Sequence, residues 1–261
     1  MIDIARAARI ATVTYTNPPT NLIVPETVQR LHDAVVDLAK DGDIQVAIFE
    51  SKTDGFFYNH FDLRQAAQFP ASPGISRWTD LVLRLSRAPF VSIAKVRGRT
   101  RVGGNELALA CDLRYASREL ASFGQPEVGT GIIPGGGGGE RLPRAIGRDR
   151  SLEAILTSDD YDADTAERWG WITRALPDAE LDRFVGQLAT RLASFDKAAI
   201  IAAKAQIDRA SLPPDSDLVA AYAEYMASLK NPGLPAKFAR LGALVAAQGL
   251  DVELRLGHYW Q

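Results

Sequence analysis

Short apolar runs with strand character alternate with amphipathic helical runs, and this alternation limits the chain to an α/β architecture. Arg9–Tyr15 sets Ala11, Val13 and Tyr15 at every second position, the period of a half-buried strand. Asn17-Pro18-Pro19 punctuates it. Pro25–Lys40 then carries Val28, Leu31, Val35 and Leu38 at helical spacing, with the proline where a helix start accepts one, and Asp41-Gly42-Asp43 ends that helix. Val46–Phe49 reads as a buried strand, Phe56–Leu63 as an irregular aromatic stretch, Trp78–Ser86 as a helix and Phe90–Val96 as a second buried strand. Leu107–Ala110 is a short helix and Cys111–Tyr115 a strand. Glu140–Ile146, Ser151–Leu156, Ala163–Trp169, Asp182–Ala193, Lys197–Arg209 and Asp217–Leu229 read as further helices. Strands repeatedly followed by crossover helices define α/β proteins, and beyond Trp171 the pattern is nearly all helix. His32 falls on an amphipathic helix and is expected at the surface.

Composition excludes several functions. The 261 residues suffice for a sizeable core, as one domain or one domain with a small extension. A formal net charge of −2 provides no electrostatic footprint for nucleic acid. No apolar run approaches the roughly 20 residues that span a bilayer. The N-terminal MIDIARAARI lacks the basic-then-apolar pattern of a secretory signal. Cys111, the single cysteine, excludes an intrachain disulfide and suits a reducing compartment. Its place between an apolar helix and a strand fits a buried, inert thiol. The expectation is a cytoplasmic protein with neither membrane nor nucleic-acid partner. GxSxG, P-loop, GxGxxG and HExxH signatures are absent, and the three histidines lie too far apart in sequence to suggest a metal site.

Two glutamates carry the chemistry. Glu106 lies in GGNELALACD (Gly103–Asp112) and Glu127 in FGQPEVGTGII (Phe123–Ile133), each after a glycine-bearing turn. Paired carboxyl groups in an apolar pocket can hold a water and divide acid and base roles. A glycine pair ahead of a short apolar helix offers free N–H groups to a developing oxyanion. The run Gly135–Gly139 admits two readings, a phosphate cradle or a close backbone approach at a helix start. No Lys-Ser/Thr follows, which favours the second.

Three blocks in order, IAKVRGRTRVGGNELALACD, FGQPEVGTGIIPGGGGGERL and DADTAERWGWITRALP, resemble the enoyl-CoA hydratase/isomerase (crotonase) superfamily. The resemblance runs from the strand at Arg9–Tyr15 to about Leu212, and the stretch from about Pro235 to Gln261 matches poorly. It implies a crotonase-like core of repeated strand-strand-helix turns over residues 1–195. A helical region over 196–261 would support a homotrimer or homohexamer, with apolar faces such as Ile200, Ile201 and Ile207 meeting a partner. It also implies a CoA thioester as substrate, with no separate cofactor and no metal. In that reading the N–H of Gly103 is one oxyanion donor and that of Phe61 the other. Phe61, Asp62, Leu63, Arg64 and Gly103 form the CoA-binding set, with Arg64 near a phosphate. Glu106 acts as the base toward water and Glu127 as the acid toward the α-carbon, giving hydration of a 2-enoyl-CoA. Isomerisation of a 3-enoyl-CoA, or a silent CoA-binding member, are the alternatives.

The chain departs from the family pattern in three places. His60 stands where a glycine is common. Arg97, Arg99 and Arg101 replace small or apolar residues, with local ion pairs, a subunit interface or a polar acyl group as their possible partners. One extra residue falls near Arg118–Leu120, placed in a loop after a strand, where insertion is cheap.

Overall fold

The computed structural model describes residues 1–72 and 74–260. Its first strand, β1 (Ile2–Ala7), folds back on β2 (Ile10–Tyr15) in an antiparallel hairpin. Helix α1 (Pro25–Lys40) crosses to β3 (Val46–Ser51), which runs parallel to β2. A 3₁₀ segment (Leu63–Gln68) and two short strands, β4 (Ala71–Ser72) and β5 (Ile75–Ser76), lead into α2 (Arg77–Ser86). Next come β6 (Val91–Val96), β7 (Arg99–Arg101) and α3 (Gly103–Ala110), followed by β8 (Leu113–Ser117), β9 (Ser122–Gly124) and α4 (Glu127–Thr130). The second half holds α5 (Gly138–Ile146), α6 (Arg148–Thr157), β10 (Asp160–Asp162), α7 (Ala163–Trp169), β11 (Arg174–Leu176) and α8 (Asp178–Ala193). It ends with α9 (Lys197–Ser211), α10 (Asp215–Ser228), α11 (Leu234–Gln248), α12 (Leu250–Leu254) and a closing 3₁₀ turn.

The main sheet has the order β1-β2-β3-β6-β8-β11, and every pairing after the first hairpin is parallel. A second sheet, β10-β9-β7, lies beside it, with β7 and β9 parallel. Phe56 extends this second layer through a parallel bridge to Arg99. Thus β3, β6 and β8 are each followed by a short second-layer piece (Phe56, β7, β9) and then by a helix. These are the strand-strand-helix turns that the resemblance implies.

The main sheet packs against helices on both faces, so β3 begins as an unbroken apolar run. On β3, Ala47 and Phe49 join the large core beneath α1, α2 and α3. Val46 and Ile48 point the other way, into a smaller core with Leu181, Val185 and Ala189 of α8. Ala11, Val13 and Tyr15 are fully buried, as their alternation predicts.

His32 is buried, contrary to expectation. Its helix packs on α2, where Asp80 Oδ2 lies 2.9 Å from His32 Nε2, so a polar partner across the interface makes burial tolerable. The hairpin partner β1 and the helix α11 were not read from the sequence. Arg118–Leu120 forms a turn between β8 and β9, as the extra residue predicts. Cys111 is buried, and burial pushes its thiol up to about 12, which leaves it inert.

Candidate active site

Glycines bring the two sequence blocks together. Chain direction reverses at Val102, which takes φ 52° and ψ −118°, a costly conformation for a β-branched residue. Gly103 follows as the first residue of α3. A Cβ on it would stand 2.8 Å from the Phe61 ring and from Ile23, so the helix start and the Phe61 loop touch. A Cβ on Gly104 would fall 1.8 Å from the Tyr58 carbonyl oxygen, which locks α3 against the same loop. The loop is further tied by Gly104 N–H donating to Asn59 O (3.2 Å) and Asp62 N–H donating to Ile23 O (2.9 Å). Among the described residues, no acceptor meets the N–H of Phe61 or of Gly103.

Glu106 sits in the first turn of α3 and is 2 % exposed. Trp78 Nε1 donates to its Oε2 (2.9 Å), and Gly136 N–H donates to its Oε1 (2.7 Å). Gly136 must be glycine for this approach, because a Cβ there would lie 2.2 Å from Glu106 Oε2. The close-approach reading of the glycine run is therefore the one realised. Burial raises the Glu106 carboxyl above its ordinary range, and the Gly136 and Trp78 donors pull against that rise.

Glu127 opens α4 and is 4 % exposed. Gln125 Nε2 donates to its Oε1 (2.6 Å), while its Oε2 is buried without a partner among the described residues. Burial raises this carboxyl too, and the charge of Glu106 adds to the rise. Trp171 Nε1 donates to Asn105 Oδ1 (2.8 Å), Asn105 Nδ2 donates to Gln125 Oε1, and Gln125 donates to Glu127. An indole can only donate, so it sets the direction of both amides and aims the last donor at Glu127. Asn105, Gln125 and Trp171 are fully buried and come one from each of the three sequence blocks.

The two carboxyl groups face one cavity of about 300 Å³. Its wall is mostly apolar and aromatic, including Phe61, Phe69, Trp78, Tyr222 and Tyr225. Phe61, Leu63, Glu106 and Glu127 of the expected set line it; Gly103 lies against the Phe61 ring, and Asp62 and Arg64 stand outside the lining. Arg64 is 83 % exposed and forks onto Asp62 (2.8 and 3.0 Å). That contact, with help from Gln65, lowers the Asp62 carboxyl to about 2. Helices α10 and α11 and the closing turn contribute Tyr222, Tyr225, Leu241 and Leu256, so the C-terminal region covers its own chain's cavity.

The arginines before the glycines find local partners. Arg97 pairs with Asp178 and Asp182, and Arg101, fully buried, pairs with Asp160. Arg99 instead donates to the Leu254 carbonyl (2.8 Å). His60 meets the Glu253 carboxylate at 3.1 Å. Sequence reasoning missed Trp78, Gln125, Asn105, Trp171 and Glu253 as supports of the site. Gln125 and Asn105 stood beside the glutamates in the motifs, whereas Trp78 and Glu253 carried no local signal.

Among the described residues no group of three or more His, Cys, Asp or Glu could hold a metal, and no helix is long and apolar enough to cross a membrane. What the site offers is a carboxylate held by two donors, a second carboxyl that resists ionisation, and two free N–H groups at the edge of an apolar space. Groups of these kinds can exchange protons and receive a developing oxyanion.

Comparison with known proteins identifies the family. The enoyl-CoA hydratase/isomerase family profile matches residues 5–231, and the chain belongs to this family. It is 33 % identical over 215 residues to the probable enoyl-CoA hydratase of Mycobacterium bovis, covering 80 % of this chain and 81 % of the relative. A crotonyl-CoA hydratase of Syntrophomonas wolfei is 32 % identical over 203 residues, covering 74 % and 76 % of the two chains. A solved structure of a candidate enoyl-CoA hydratase from Streptomyces avermitilis superposes with a TM-score of 0.95 at 41 % identity, covering 99 % of this chain and 95 % of that one.

Proposed function

We propose that the protein adds water to a 2-enoyl-CoA, giving a 3-hydroxyacyl-CoA, with the CoA thioester as substrate and no separate cofactor. The observation that carries this reading is the unequal treatment of two buried carboxyl groups on one cavity. Glu106 has a donor on each oxygen, so it keeps the negative charge. Glu127 has one donor and an orphaned oxygen beside that charge, so it keeps the proton. Glu106 then takes a proton from water as the water oxygen bonds to the β-carbon, and Glu127 gives its proton to the α-carbon. Negative charge passing through the thioester oxygen is met by the N–H groups of Phe61 and Gly103. A donor of this kind typically contributes about 3–4 kcal/mol.

The cavity wall fits an uncharged acyl group. Two carboxyl groups already share the space, and a third would add like-charge repulsion at low dielectric. Leu63 lines the cavity, Asp62 holds the Arg64 guanidinium, and Arg64, largely in solvent, would meet a CoA phosphate. Residues 196–261 are proposed to assemble a homotrimer or homohexamer. No residue of α9 is buried within the chain, and Ile207 is 65 % exposed. The cytoplasm is the proposed compartment, consistent with a lone unoxidised thiol.

The test is the loss of conjugated-enoyl absorbance when the protein meets crotonyl-CoA. Glu106→Gln and Glu127→Gln should each lower that rate by ~10²–10⁴-fold, because an amide cannot exchange the proton. A Glu106→Gln variant that stays active on a 3-enoyl-CoA while Glu127→Gln is dead would instead identify an isomerase. Wild-type protein that turns over neither substrate would overturn the catalytic reading.

A further inference from the structure

The segment from α12 to the closing turn is latched onto the loop that carries the Phe61 N–H. The last carbonyls of a helix have no partner within it. On α12 those of Glu253 and Leu254 are taken by Arg101 Nη1 (2.5 Å) and Arg99 Nε (2.8 Å), both from β7. Arg101 is itself fixed by Asp160 on β10 (2.7 and 2.5 Å), which also accepts from Gly257 N–H (3.3 Å). The backbone of Glu253 is thus anchored to the second sheet.

Its side chain reaches the other way. Glu253 Oε2 accepts from Asn59 Nδ2 (3.0 Å), and both its oxygens lie 3.1 Å from His60 Nε2. His60 Nδ1 is 3.0 Å from the Phe61 carbonyl oxygen. Both neighbours of the ring are acceptors, an arrangement that favours the protonated ring. Burial opposes that charge, yet Glu253 outweighs it and the His60 pKa is raised. One carboxylate therefore holds two consecutive side chains immediately before Phe61.

We infer that Glu253 is a positioning residue for the reaction: it fixes Asn59 and His60 and so sets the direction of the Phe61 amide. The oxyanion site is complete only when the C-terminal segment is docked. This rests on the hydratase reading given above. Misplacing a catalytic donor by about 1 Å is enough to cost orders of magnitude in rate.

The experiment compares Glu253→Ala, Glu253→Gln, His60→Gln and the double variant Glu253→Ala/His60→Gln. kcat and KM are measured on crotonyl-CoA, and the affinity for free CoA, which has no acyl carbonyl, by calorimetry. Glu253→Ala should lower kcat roughly 10- to 100-fold, part of the ~10²–10³-fold that a whole donor supplies. CoA affinity should stay within about twofold, because the phosphate contacts are elsewhere. Glu253→Gln, which keeps an acceptor for Asn59, should fall between Glu253→Ala and wild type. The double variant should be no slower than the slower single, since the pair acts as one unit. Losses that multiply, or a Glu253→Ala kcat within about twofold of wild type, overturn the inference. Should the alanine variant not fold, Glu253→Gln and His60→Gln carry the comparison. Hydrogen exchange gives a readout independent of the reaction: amides of Asn59–Asp62 should exchange faster in Glu253→Gln while those of β3 and β6 do not change. If wild type hydrates nothing, the function reading falls and exchange alone judges the latch; unchanged exchange at Asn59–Asp62 overturns it.

Discussion

Removing one hydrogen from the Glu106 site should move the whole acid limb of the pH–rate profile. Trp78→Phe keeps an aromatic ring in the wall but deletes the indole N–H that Glu106 Oε2 accepts at 2.9 Å. Donor and acceptor are both buried, at 4 % and 2 % exposure, so water does not replace the bond. A hydrogen bond to a charged group contributes about 1.5–3 kcal/mol, and 1.36 kcal/mol corresponds to one pKa unit. The Glu106 carboxyl, already raised by burial, should rise by roughly a further 1–2 units. Glu106 is the base and must be ionised, so the midpoint of the acid limb of kcat shifts upward by that amount. The alkaline limb, set by loss of the Glu127 proton, should move less. The two limbs approach one another and the bell narrows. A profile from about pH 5 to 10 on crotonyl-CoA, with folding checked at each pH, measures this. If kcat drops by one factor at every pH and the acid midpoint stays in place, the indole only packs the wall, and the argument that it keeps Glu106 charged is refuted.

Glu127→Gln should stabilise the fold in a pH-dependent way. Its folded-state pKa is raised, so wild-type stability is fully present below the unfolded value of about 4.3 and is lost as pH climbs to the folded value; the variant's advantage in Tm should be absent near pH 4, grow across that window and then level off. A constant difference across pH would contradict the burial argument. Arg64→Ala should weaken CoA binding by roughly 1 kcal/mol, about fivefold by calorimetry, as befits an exposed charge already shared with Asp62, and an unchanged affinity removes Arg64 from the site without touching the oxyanion proposal. Light scattering at micromolar concentration should return three or six copies of the 28.3 kDa chain, and a monomer would sink the proposed assembly.

What the sequence disclosed was local. The alternation in Arg9–Tyr15 and the unbroken apolar run of Val46–Phe49 reflect one strand with a single fully buried face and one with both faces covered, and each face can be read within a few residues. Glu106 and Glu127 stood out because glycine turns flank them, and those glycines exist for close approaches that no other residue permits. The Gly135–Gly139 run was ambiguous for the same reason. A glycine shows that something comes near, without showing that at Gly136 it is a carboxylate from α3.

The rest was illegible because its meaning depends on pairs distant along the chain. Trp78 sits on an amphipathic helix where any large apolar residue would satisfy the pattern, and only the arrival of α3 turns its N–H toward Glu106. His32 shows the same failure from the other side: on α1 alone it is a polar residue on a mixed face, and Asp80 on α2 makes it an interior one. His60 looked like a bulky substitution in a loop expected to be tight, and the three arginines like charges whose partners, local ion pairs among them, could not be named. Glu253, beyond the stretch that the family profile matches, supplies the partner for His60, and its neighbourhood supplies carbonyls for Arg99 and Arg101. These departures from the family pattern occur at both ends of one set of contacts. Each alone raises the cost of the fold, since a buried arginine or imidazolium without a partner is destabilising by several kcal/mol. Together they satisfy one another, so a chain that changed any one of them singly should lose stability. Reverting His60 to glycine while leaving Glu253 in place would strand a carboxylate against Asn59, and the penalty should be larger than that of replacing both.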